Sequence, residues 1–77
     1  MKAYILISVR TGEIPDAIEQ LRAVKGVVAA DMTFGPYDAV AVVEAKDVAT
    51  IGRIVAHDIQ PVVGVQDTLT CLVIEGI

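Results

Sequence analysis

Residues 3 to 9, AYILISV, form a run of small, β-branched and aromatic types that is too short for a helix and predicts a first strand. The period then changes. Ile14, Ala17, Ile18, Leu21 and Val24 recur at helical spacing, and Gly26 closes the segment. Pro15 occupies a first-turn position where its missing N–H costs nothing, while Asp16 and Glu19 complement the positive end of the helix dipole. Residues 27–34 and 38–45 return to strand character. Only Gly35-Pro36-Tyr37 separates them, a spacing that permits a hairpin and forbids a parallel crossover. Asp47 offers an N-cap oxygen to a second helix with Val48, Ile51, Val55 and Ile59 as its buried stripe, and Pro61 ends it. Val65 to Glu75 predicts a fourth strand.

The order strand, helix, strand, strand, helix, strand is that of an α+β, ferredoxin-like βαββαβ sandwich: a four-stranded antiparallel sheet with two helices on one face. Such a sheet normally carries polar residues at alternate positions on its other face. Here both faces are apolar. Ile5, Ile7 and Val9 are set against Tyr4 and Leu6, Ala39, Ala41 and Val43 against Val40 and Val42, and Leu69, Cys71 and Val73 against Leu72 and Ile74. Something must cover the second face, and Tyr4, Leu6, Val40, Val42, Leu72 and Ile74 are the expected residues of a sheet-to-sheet homodimer resembling a dimeric α/β barrel.

Size supports self-association. Seventy-seven residues form one domain, residues 1–77, whose small core usually needs an additional source of stability. The single cysteine, Cys71, makes no intramolecular disulfide, and no cluster of Cys and His has metal-ligand spacing, so no metal or other cofactor is expected. A net charge of −4 with six scattered Lys and Arg argues against direct nucleic-acid binding. The N-terminus, MKAYILISVR, lacks a cleavage site and reaches Arg10 too soon to span a bilayer, so the expected location is cytoplasmic, away from the membrane.

Two stretches carry a family resemblance. GVVAADMTFGPYDAVAVVEAKD runs a strand into Gly-x-Tyr-Asp before an apolar strand, and VVGVQDTLTCLVIE follows Gly-Val with spaced threonines and a last strand. Together they resemble the C-terminal effector-binding (RAM) domain of the Lrp/AsnC, or feast/famine, transcription regulators, over nearly the whole chain. The resemblance implies a dimer of ferredoxin-like domains, commonly assembled into a ring such as an octamer, with amino-acid effectors held between subunits. No helix-turn-helix precedes Met1, so the chain resembles a stand-alone RAM protein without a DNA-binding domain, able to modulate full-length Lrp/AsnC regulators by mixed assembly.

The candidate ligand-binding residues are Gly35, Pro36, Tyr37, Asp38, Thr68 and Thr70. Gly35 permits backbone conformations closed to other residues and gives a ligand access to main-chain groups, and Pro36 stiffens the turn. Asp38 can accept hydrogen bonds from an α-ammonium group, and Tyr37 offers a ring and a hydroxyl. Ordinary turn chemistry, with Asp38 bonded to its own backbone, explains the same residues. Thr68 and Thr70 share one strand face, and the resemblance sets them near the effector; good β propensity explains them equally. His57 sits near a helix C-terminus, where it complements the dipole, and no catalytic constellation accompanies it. No enzymatic activity is expected. The alternatives are a small dimeric ferredoxin-like barrel enzyme of the monooxygenase or isomerase type, needing a buried cavity with His57 or Asp31, and a ligand-free structural adaptor.

Overall fold

Alternation along β1 (Lys2–Val9) buries Ala3, Ile5, Ile7 and Val9 on one side of the sheet. The computed structural model describes residues 1–77 throughout. It contains β1, α1 (Ile14–Arg22), β2 (Val27–Met32), β3 (Ala39–Glu44), α2 (Val48–Ile54) and β4 (Val65–Leu72), with all strands antiparallel in the order β2-β3-β1-β4. This is the ferredoxin-like arrangement. Ala17, Ile18 and Leu21 of α1 and Ile51 and Ile54 of α2 meet Ala39, Ala41, Val43 and the buried residues of β1 in a single core.

Past Ile54 the helix widens into a π-helical turn, Val55–Ile59, which turns both Val55 and Ile59 inward. Val62 closes that end of the core, and the chain enters β4 through Gly64, whose φ of +92° lies in the left-handed region. The Gly64 carbonyl accepts the Arg10 N–H at 2.7 Å. No helix is long and apolar enough to cross a membrane.

The Asp47 carboxylate accepts the Thr50 N–H at 2.8 Å and caps α2. Hydrogen bonding by the Thr50 side chain and backbone outweighs desolvation and, with a smaller contribution from the Arg53 charge, holds the Asp47 carboxyl below its usual value. A pKa lowered by folding means that the unfolded chain binds the proton more readily. The cap's contribution is therefore complete above the unfolded carboxylate value, about 3.9, and is lost as pH falls through the lower folded one. Asn caps equally well without titrating. Thermal melts from pH 5 down to 2 should show Asp47→Asn losing less stability than the parent protein, and superimposable pH profiles would contradict the assignment.

Strand pairing corrects the sequence reading of β4. The strand ends at Leu72 rather than at Glu75. Ser8 opposes Asp67 and Val9 opposes Val65, leaving Gln66 as an extra residue, a β-bulge that sets the phase of everything after it. Cross-strand partners share a face, so Leu72, opposite buried Ala3, belongs to the helix side of the sheet along with Thr70 and Thr68. Ile74 lies beyond the strand and is exposed. The open face of β4 is instead Asp67, Leu69 and Cys71, opposite Ser8, Leu6 and Tyr4. Tyr4, Leu6, Val40 and Val42 lie on that open face as the alternation predicts.

Candidate functional site

The open face is ordered in two adjacent rows across the sheet. One runs Ala29, Val42, Tyr4, Cys71, and the next runs Asp31, Val40, Leu6, Leu69. Of these eight residues only Asp31, at the β2 edge, is charged. Tyr4 remains 41% and Leu69 49% exposed, so a single chain leaves this apolar surface uncovered.

At one end of the face stands the loop between β2 and β3. Its base is closed by the Thr33 N–H donating to the Asp38 carbonyl at 2.9 Å and the Thr33 hydroxyl donating to the Tyr37 carbonyl at 2.7 Å. Asp38 is tied to the neighbouring strand twice. Its N–H donates to the Ile7 carbonyl at 2.9 Å, and its Oδ2 accepts the Val9 N–H at 2.8 Å, satisfying a backbone donor near the end of β1. The side chain thus bonds β1 rather than its own loop. The loop leans over Leu6 and Val40 to form a shallow depression of about 300 Å³, walled by Phe34, Pro36 and Tyr37 with Thr33 and Gly35.

Gly35 plays a different part from the one predicted. Its backbone is not left-handed, and a Cβ there would meet nothing within 4 Å. The position requires no glycine, although its open surroundings leave the main chain accessible. The sequence pattern does not single out Phe34, yet it is fully exposed and forms one wall of the depression. An aromatic residue in a polar turn was the available signal.

Thr68 and Thr70 do share a face, but it is the helix side of the edge strand β4. Thr68 Oγ1 accepts the Gln60 side-chain amide at 3.1 Å, and Gln60, Gln66, Asp67 and Thr68 line a polar depression of about 300 Å³ with Val65. With β1 between β3 and β4, the threonines stand roughly 10 Å from the Tyr37 loop in the sheet plane and on the other face. One chain does not bring the two halves of the predicted site together. His57 and Asp31, which an enzyme of this architecture would need in a buried cavity, are both at the surface.

The family model for the Lrp/AsnC ligand binding domain matches residues 2–77. The chain belongs to the Lrp/AsnC family. Among solved structures of similar fold, the TTHA0845 protein of Thermus thermophilus is 30% identical with a TM-score of 0.92, over 99% of this chain and 95% of that one. AsnC of E. coli has a TM-score of 0.89 at 22% identity, covering 97% of this chain and 51% of AsnC. The transcriptional regulator NMB0573 of Neisseria meningitidis, solved as an L-Met complex, has a TM-score of 0.81 at 24% identity over 99% and 51%. The Lrp/AsnC chain described here therefore spans about half the length of these two regulators, and at that identity they share its fold. No curated protein sequence matches it.

Proposed function

We propose that this Lrp/AsnC domain is an amino-acid-binding and assembly module rather than an enzyme. It pairs sheet to sheet as a homodimer, builds a higher ring such as an octamer, and holds its effector where subunits meet. The observation that carries the reading is the uncovered apolar face, whose paired rows run through Tyr4, Leu6, Val40 and Val42 with Leu69 and Cys71. A polar solvent face would have made a monomer the natural state; this one favours burial against a second copy.

The effector assignment rests on the loop. Leu6, Phe34 and Val40 suit an apolar side chain, and Tyr37 adds a hydroxyl. Asp38 supplies an acceptor for an α-ammonium group, and Thr68 and Thr70 supply hydroxyls for a carboxylate from the opposite face of the sheet, so a complete site draws on two subunits. The L-Met carried by NMB0573 has that chemistry, an α-amino acid with an apolar side chain. A further role is modulation of full-length Lrp/AsnC regulators by mixed assembly through the same apolar face, with no direct contact to nucleic acid by this domain.

Native mass spectrometry with and without a mixture of amino acids tests the proposal. The expected spectrum is an oligomer that gains one amino-acid mass per site, which also identifies the effector. An oligomer that gains nothing leaves a structural adaptor in its place, and a monomer overturns the assembly itself.

A further inference from the structure

We infer that the free edge of β2 is held shut against strand addition by Arg22, and that with this guard withdrawn the edge pairs with β2 of a second copy. β2 is hydrogen-bonded to β3 alone. The Asp38 carbonyl faces β2, where it accepts the Thr33 N–H, so, two residues on, the N–H and C=O of Val40 face β2 as well. Val40 stands opposite Asp31, which makes these two a hydrogen-bonded pair of the ladder. Ala30 and Met32 therefore direct their N–H and C=O groups away from β3, into the free edge.

A groove of about 230 Å³ follows that edge, lined by consecutive residues from Val27 to Asp31 and by Arg22. Arg22 ends α1 and reaches into it. Its Nε donates to the Ala30 carbonyl at 2.8 Å, and its Nη2 lies 3.5 Å from Asp31 Oδ1. The guanidinium thus occupies an acceptor that an incoming strand needs, and an ion pair holds it there. A bulge at Val28 disturbs the start of the edge, but from Ala29 to Met32 it has neither Lys nor Pro, and Val28 and Met32 are each 58% exposed.

Self-pairing fits this register. An antiparallel β2 pair centred on Asp31 sets Ala30 of each copy opposite Met32 of the other, so that both outward-facing residues exchange their hydrogen bonds. It also brings the two Asp31 carboxylates side by side, which is unfavourable for like charges. Arg22 blocks the acceptor and Asp31 repels its own copy, and the two together keep the edge closed.

The test is the Arg22→Ala/Asp31→Ala protein, followed by sedimentation velocity over a concentration series and by amide hydrogen exchange. Both side chains are more than half exposed, so the core is untouched. The expected result is a species heavier than the parent assembly that grows with concentration, with the Ala30 and Met32 amides slowed by about tenfold or more relative to the parent. Adding Met32→Pro removes an outward N–H without breaking the ladder to β3, and should restore the parent mass. An unchanged mass at every concentration overturns the inference. So does a heavy species that survives Met32→Pro, or a parent protein whose Ala30 and Met32 amides are already protected.

Discussion

Leu6→Asp is expected to turn the assembly into separate, folded subunits. Leu6 stands mid-face between Val40 and Leu69, and its side chain points away from the core, so a single chain tolerates the carboxylate. In a sheet-to-sheet dimer the same carboxylate is buried, once in each copy, with no cation in its row to receive it. An unpaired buried charge costs several kcal/mol even after relaxation, and every 1.4 kcal/mol weakens association about tenfold, so two copies should weaken it by at least about a thousandfold. Sedimentation velocity at micromolar concentration reads this directly. Val63→Asp, an exposed apolar position outside the strands, is the control and should leave the mass unchanged. A Leu6→Asp protein that keeps the parent mass would mean that the open face is not the interface.

The second large effect concerns Gly64. A Cβ at this position would stand 2.5 Å from Glu13 Oε2, 2.8 Å from Glu13 Cβ and 3.3 Å from Val9 Cγ1, on a backbone at φ +92°. The left-handed conformation costs a side chain about 1–2 kcal/mol. Overpacking adds about 1–3 kcal/mol, because Glu13 Cβ has little room to retreat. Gly64→Ala should therefore lose about 2–5 kcal/mol, and at about 4–8 °C per kcal/mol for a domain of this size the thermal midpoint falls by at least about 8 °C. Gly64→Ala combined with Glu13→Gly relieves the clash and leaves the backbone term, so it should recover part of the loss. A midpoint within a degree or two of the parent would show that the turn relaxes freely.

The elements were legible because each segment's pattern agrees with its local chemistry. Pro15, Gly26, Asp47 and Pro61 mark the ends of the helices, and the alternation of β1 and β3 assigns their faces without ambiguity. β4 was different. Its residues from Leu69 to Ile74 are apolar or small on both sides, so the sequence offers no contrast to fix the phase, and a slip of one residue exchanges the faces. The bulge at Gln66 decides it, and that depends on where Ser8 and Val9 lie, nearly sixty residues earlier. Alternation read from sequence alone therefore puts Leu72 on the open face, which Leu69 and Cys71 occupy instead.

The candidate site was legible in part for a related reason. The Gly-x-Tyr-Asp turn shows its residue types directly, but the bond from the Val9 N–H to Asp38 joins two strands that only folding brings together. Gly35 reads as a conformational requirement in sequence and is none in the structure, because a Gly-Pro turn is also made with ordinary backbone angles. The separation of Thr68 and Thr70 from Tyr37 follows from strand order, with β1 between them, and from the β4 register, which turns them to the other face.

That strand order also bears on how the protein is made. β1 precedes the other strands of the domain in the chain and lies at the centre of the sheet, with β3 on one side and β4, the last strand, on the other. In chain order β1 acquires one neighbour with the β2–β3 hairpin and keeps an unpaired edge on its other flank until β4 follows. The sheet is completed only when the last strand of the domain is available, and the interval leaves β1 open to the wrong partner. A chain that stops short of Val65 never closes that flank.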